Sequence, residues 1–270
     1  NELDQRRSFG RRELPIERYP YLTVLAHRVD IVAIGRAAQV ITISESSRRD
    51  LLRFTDVDPD RVRVTLLGVS RRFSPADPAD PDGVGSGGRA GPPRVLHVGH
   101  CGPYKNVEGV LRALPRAIRT LGEPIQFVKA GGSFTMTQRA LMTQLGIEEH
   151  VVHLGPVADD ALPRVYREAD LLVMPSLHEG FGLPVLEAMA SGTPVVASDR
   201  GSLPEVVGDA GLIVDDPDDP DAIAAGMVRV LGDPALRRDL RARGLARAAT
   251  FTWERTARET LAVYRQVYGE

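Results

Sequence analysis

The chain has 270 residues, with 34 Lys and Arg against 36 Asp and Glu, a formal net charge of −2. The near balance excludes a global field for nucleic acid, and a single cysteine, Cys101, excludes an internal disulfide framework. With no signal-peptide pattern and no apolar run of about 18 residues, composition points to a reducing, cytoplasmic compartment.

Residues 1–20 carry scattered arginines without a pattern. A helix is predicted over Tyr21 to Ala38, then a strand from Gln39 to Ile43, a helix capped by Ser44 or Ser46, and a strand from Arg61 to Leu66. Two strands are too few for an independent domain, so residues 1–75 read as part of one whose beginning is absent. Residues 76–93, rich in Pro, Gly, Asp and Ser, read as a linker. From Arg94 onward short apolar runs alternate with helical stretches: Val95 to Val98, Ile125 to Val128, Val151 to Leu154, Leu171 to Met174, Pro194 to Ala197 and Leu212 to Val214. This rhythm predicts repeated βα units and a doubly wound α/β domain over 94–250, with ligands outside the carboxyl ends of the strands. Helices are predicted over Asp221 to Leu231, Ala235 to Ala248 and Thr252 to Tyr268. No internal repeat is visible.

The most informative segment is Glu179-Gly-Phe-Gly-Leu-Pro-Val-Leu-Glu-Ala-Met-Ala190. It follows an apolar strand, passes through Gly180 and Gly182, and enters a helix with Pro184 in its first turn. Glycines let a phosphate approach the backbone, and the free N–H groups of a helix start favour an anion. Glu179 lies in the loop and Glu187 inside the helix, so one carboxylate faces a ligand at the loop and the other accepts from hydroxyls deeper in the crevice. A nucleotide sugar supplies both phosphates and hydroxyls. The bland alternative is a pair of solvated charges.

This segment resembles the signature of glycosyltransferase family four, retaining enzymes of the GT-B fold with two facing Rossmann-like domains. The resemblance extends over most of Arg94 to Tyr268, including Phe251-Thr-Trp253, and over Ala38 to Phe73 as the end of a first domain. It implies an incomplete N-terminal Rossmann-like domain over 1–75 and a C-terminal donor-binding domain over 94–250. Residues 251–270 then form a helix returning toward the first domain. Glu187 would bind ribose hydroxyls, and Glu179 would lie near the transferred sugar. Backbone N–H groups around Phe181, Gly182 and Leu183 would hold sugar hydroxyls and pyrophosphate. Lys105, in Val98-Gly-His-Cys-Gly-Pro-Tyr-Lys-Asn106 and expected to open a helix, would neutralise the pyrophosphate. Gly131 and Gly132 would admit the nucleotide, and Pro156 and Val157 would frame the base. Many relatives carry an arginine where this chain has His100 or Tyr104, which leaves His100 as a candidate donor to phosphate.

The implied reaction transfers a hexose, with a leaning to mannose, from a nucleoside-diphosphate sugar to a hydroxyl of a glycan or lipid-linked acceptor. It retains the anomeric configuration and uses no metal or further cofactor. Two other readings are weighed: a donor-binding module that acts only with a partner chain, because the glycine-rich loop of the first half of the family's first domain has no counterpart here, and a sugar-nucleotide epimerase of similar shape. Asp56-Val-Asp58 and Asp216-Pro-Asp218 read as turns rather than metal sites, and the His97/His100 and His150/His153 pairs lack further ligands. No Walker pattern occurs, and the Gly-x-Gly-x-x-Gly spelled by Gly83 to Gly88 lies in the linker rather than between a strand and a helix. Basic clusters at Arg6, Arg7, Arg11, Arg12 and Arg18, and at Arg237, Arg238, Arg241, Arg243 and Arg247, read as solvated surface. They are also compatible with peripheral contact at an inner membrane face.

Overall fold

The computed structural model describes residues 33–75 and 91–269. They form two compact units, one of residues up to Leu66 with Thr256 onward, the other of Leu67–Arg255. The predicted helix over Tyr21 to Ala38 is described only from residue 33, with 33–36 helical. Residues 1–32 and 76–90, with the first arginine cluster and most of the expected linker, lie outside the described residues.

In the first unit, β1 (Val40–Thr42) pairs in parallel with β2 (Val62–Val64). Between them lies α1 (Glu45–Phe54), started by Ser44, whose hydroxyl accepts from Ser47 N–H at 3.0 Å. A side-chain oxygen at this position satisfies one of the donors that a helix start leaves free. Thr256 Oγ1 donates to Leu66 O at 2.7 Å.

The second unit is a six-stranded parallel sheet. In chain order it comprises β3 (Arg94–Gly99), α2 (Val107–Leu121), β4 (Gln126–Gly131), α3 (Met136–Leu145), β5 (Val151–Gly155) and α4 (Leu162–Arg167). Then follow β6 (Leu171–Met174), α5 (Leu183–Ala190), β7 (Val195–Ser198), α6 (Leu203–Val207), β8 (Leu212–Val214), α7 (Pro220–Gly232), α8 (Pro234–Ala248) and α9 (Trp253–Tyr268), the last crossing into the first unit after Arg255. The strand order is β5-β4-β3-β6-β7-β8. Every residue of β6 and β7 is buried, as expected of parallel strands covered on both faces. On one face Val95, Phe127, Leu171, Val173 and Val196 meet the apolar stripes of α2 and α7. On the other, α5 packs against α8 and α6. Residues 67–75, on the first-domain side of the expected boundary, pack with this second unit: Val69 N–H donates to Phe251 O at 3.1 Å, and Phe73 is buried edge-on to Tyr166. No helix of the described residues is long and apolar enough to cross a membrane.

Candidate functional site

The strand order reverses between β3 and β6, which are hydrogen-bonded neighbours. The chain leaves each of them at the same edge of the sheet in opposite directions, so a crevice opens between the two following loops. Lys105 lies on the loop after β3 and Glu179 on the loop after β6. The loops are tied together, with Leu177 N–H donating to Tyr104 O at 2.7 Å. Asn106 adds two bonds from Nδ2, to Pro175 O at 3.1 Å and to Pro217 O at 2.6 Å, and so joins the loops that follow β3, β6 and β8. It does this from the left-handed region, φ 51°, while its Oδ1 caps α2 through Gly109 N–H. Asparagine is one of the few residues with a side chain that tolerate this conformation.

Lys105 Nζ meets Glu179 Oε1 at 2.5 Å, with each side chain only 10% exposed. Ser176 Oγ donates to the same oxygen at 2.8 Å. The main chain of Glu179 is held as well: its carbonyl accepts from Ser202 N–H at 3.1 Å and Ser202 Oγ at 3.0 Å. A Cβ at Gly201, where φ is +60°, would stand 2.5 Å from that carbonyl, so only glycine lets the two loops approach this closely. The structure differs from the sequence expectation in where Lys105 sits. It ends a short 3-10 turn, Pro103–Lys105, and does not open α2. The left-handed Asn106 intervenes and supplies the cap itself.

Glu187 lies five residues into α5, whose N-cap is Gly182 at φ 94° with no side-chain cap. Pro184 has no N–H, and Val185 and Leu186 N–H already donate to Gly182 O, so the donor this helix start offers an anion is Leu183 N–H. Phe181 is buried and edge-on to Phe251, so this residue offers the crevice its backbone rather than its ring; Leu183 begins the helix. Glu187 is half-buried and its Oε2 accepts from Tyr166 Oη at 2.7 Å. Burial pushes its carboxyl above the usual range, while the Tyr166 hydrogen bond and the charge of Arg72 pull it back down.

Gly131 ends β4 opposite Gly99, and a Cβ there would lie 2.4 Å from Gly99 O. The two glycine loops thus touch backbone to backbone, with Gly132 N–H donating to Gly99 O at 2.9 Å. His100 is exposed beside Gly132. Pro156 is exposed and Val157 half-buried in the loop after β5. Cys101 is buried against Gly132 O at 3.2 Å, and burial pushes its thiol up, the opposite of what a nucleophile needs.

Sequence reasoning missed Ser176, Ser202, Asn106 and Tyr166, and two polar groups beneath the loop after β3. His97 and Lys129 face each other in register on β3 and β4, both fully buried. Lys129 Nζ donates to Gly99 O at 2.6 Å and Ala130 O at 2.8 Å. Both ring nitrogens of His97 lack a partner among the described residues, and burial, with the cations of Lys129 and Lys105, lowers its pKa to about 3.

The aspartate pairs are turn caps: Asp58 accepts from Asp60 N–H at 2.9 Å, and Asp216 from Asp218 N–H at 3.2 Å. On α8, Arg241 donates to Gly192 O, Arg243 to Asp209 O, and Arg247 to Glu205 O and Val206 O. Three of the five arginines of that cluster thereby cap neighbouring helix ends and loops rather than facing solvent freely.

Residues 85–247 match the family described as glycosyl transferases group 1. The chain is similar to the O-antigen chain mannosyltransferase B of Escherichia coli, 36% identical over 255 residues, 93% of this chain and 65% of that protein. Among solved structures, sucrose-phosphate synthase of Thermosynechococcus elongatus matches with a TM-score of 0.77 and 27% identity over 95% of this chain and 66% of that one. The Anabaena protein HepE, in complex with UDP and glucose, matches with a TM-score of 0.75 and 22% identity over 90% and 66%. The chain spans between 52% and 65% of the length of such curated relatives. Its sheet order and family match agree: the second unit has the Rossmann-like fold of GT-B enzymes, and the chain belongs to the glycosyl transferases group 1 family.

Proposed function

We propose that this protein is the donor-binding part of a retaining hexosyltransferase of glycosyltransferase family four. It takes a sugar, by likeness to the Escherichia coli relative a mannose, from a nucleoside diphosphate to a hydroxyl of a glycan or lipid-linked acceptor in the cytoplasm. The observation that carries the reading is the buried Lys105–Glu179 pair set across the strand-order reversal, with Glu187 on the helix that follows.

The proposed chemistry uses charge already in place. The diphosphate sits between Lys105 and the Leu183 N–H at the start of α5, which stabilise charge growing on the leaving oxygen. The anomeric carbon breaks its bond to that oxygen and forms one to the acceptor hydroxyl on the same face, and the hydroxyl proton passes to the departing phosphate. Glu179 orients the sugar while positive charge develops on it. Glu187 accepts from the ribose hydroxyls, with Gly131, Val157 and His100 around the nucleotide, and no step calls on a metal. That HepE, which shares the fold, was solved with UDP and glucose supports a nucleotide sugar as the kind of ligand. Peripheral membrane contact would rest on Arg237 and Arg238, since Arg241, Arg243 and Arg247 are engaged internally.

Calorimetric titration with UDP, GDP and ADP tests the donor site. One nucleotide is expected to bind in the micromolar range and to be lost in Glu187→Ala. Equal binding by Glu187→Ala, or wild-type transfer rates in Glu179→Ala and Lys105→Ala of an active full-length form, would overturn the reading.

A further inference from the structure

Tyr166 is on α4, fully buried, with its ring edge-on to Phe73 at 5.7 Å between centroids. Its backbone is fixed from a second direction, since Thr193 Oγ1 donates to Tyr166 O at 2.7 Å. A phenylalanine would fill that apolar space as well. The hydroxyl therefore needs a reason, because a buried O–H without a partner is costly. Its partner among the described residues is Glu187 Oε2.

Two features make this contact more than a satisfied core hydroxyl. First, it is directional. Tyr166 keeps its proton, since burial and the negative charge of Glu187 both raise its pKa well above the ordinary value, so it acts as a donor throughout the working range. Second, the contact uses one carboxylate oxygen and leaves the other. Glu187 Oε1 accepts no hydrogen bond from any described residue, and the side chain is only half-buried. A lone carboxylate five residues into a helix rotates about three bonds. One anchored by a rigid, buried phenol has a single orientation, and the ordering cost is met before a ligand arrives.

We propose that Tyr166 is a positioning residue for the donor site, its hydroxyl locking Glu187 through Oε2 so that Oε1 is held ready for the hydroxyls of the donor ribose. This rests on the reading above that Glu187 binds the ribose. The Tyr166 hydroxyl also favours the ionised form of Glu187 against the burial that disfavours it, and an ionised carboxylate accepts from both ribose hydroxyls while a protonated one does not.

The test is calorimetry of the wild-type chain and Tyr166→Phe with the tightest binder among UDP, GDP and ADP and with its 2′,3′-dideoxy counterpart. The wild type is expected to prefer the ribonucleotide by at least about tenfold, the scale of a hydrogen bond to a charged group. In Tyr166→Phe that preference falls about five- to tenfold while affinity for the dideoxynucleotide stays the same. Equal weakening of both nucleotides, or no change in either, overturns the assignment to Tyr166 while leaving the ribose reading intact. If the wild type binds none of the nucleotides or shows no ribose preference, the ribose reading fails and this inference fails with it. A measurement on the unmutated chain guards against a variant that does not fold. With ¹³Cζ-labelled tyrosine, the buried Tyr166 resonance is expected to move on adding the ribonucleotide and not the dideoxynucleotide. Identical shifts with both overturn the proposal.

Discussion

The Lys105–Glu179 pair lends itself to a quantitative test, because its two halves are held by different loops and each is nearly buried. At 2.5 Å and an effective dielectric of about 20, the Coulomb attraction is roughly 7 kcal/mol. Several kcal/mol of desolvation for each ion oppose it, so the pair as a whole contributes little net stability. Removing one partner is a different matter. Lys105→Met leaves a carboxylate with only the Ser176 hydroxyl and should cost about 3 kcal/mol. Glu179→Gln keeps a neutral acceptor beside the ammonium and should cost about 2 kcal/mol. The double variant removes both charges and should also cost about 2 kcal/mol, against about 5 for independent sites. Urea unfolding followed by circular dichroism at neutral pH gives the three values. If the double variant loses the sum of the single losses, the ions do not interact in solution, and the pairing described here is not the resting state of the site.

Three further outcomes are expected. His97 has a folded pKa of about 3 against an ordinary 6.5, so as pH falls the unfolded chain takes the proton first. Its contribution is fully present above about pH 6.5 and is lost toward pH 3. Between pH 7 and pH 5 the wild type should lose about 2 kcal/mol that His97→Leu does not lose, read from urea midpoints at the two values. Gly201→Ala drives a Cβ into the Glu179 carbonyl at a positive φ, and should lower stability by about 2 kcal/mol or more and donor turnover at least about tenfold, seen in melting and transfer assays. Arg247→Ala removes two bonds to carbonyls at 3.1 and 2.6 Å and the cation over the Phe251 ring, and should cost about 1–2 kcal/mol in melting while nucleotide affinity in calorimetry is unchanged.

The architecture was legible because parallel strands covered on both faces announce themselves as short unbroken apolar runs. Leu171 to Met174 needed no context to be read as a buried strand, and it is one. Glu179 and Glu187 are candidates through the glycines, proline and helix start around them together with the segment's resemblance to a family signature, since the pattern alone fits a pair of solvated charges equally well. Contacts made at a distance were not legible. Tyr166 looks like any aromatic on an amphipathic helix, and its carboxylate partner lies 21 residues away. Ser202 looks like a turn serine until Gly201 is seen to bring it against Glu179. Lys105 was misplaced by contiguity, since a lysine before a helical stretch reads as its first residue, and only the dihedral angle of Asn106 shows that the helix starts after it.

Beneath the loop after β3 the sequence breaks the rule that governs the rest of the core. His97 and Lys129 occupy paired positions on the face where Val95 and Phe127 form the apolar layer. Two apolar side chains there would avoid a buried ammonium and a histidine whose ring nitrogens have no hydrogen-bond partner among the described residues, and would be the more stable choice. Burial already disfavours the charge of Lys129, whose pKa is lowered. The cost falls at one place, below the backbone of Gly99 and within the electrostatic reach of Lys105. Lys129 fixes that backbone by donating to Gly99 O, the same oxygen that Gly132 N–H uses to bring the second glycine loop alongside. Local rules fail in this way where a fold gives up stability to place a functional group. A surface whose only task was to close the sheet would give no reason to keep a cation under two glycine loops, whereas the diphosphate site proposed above would.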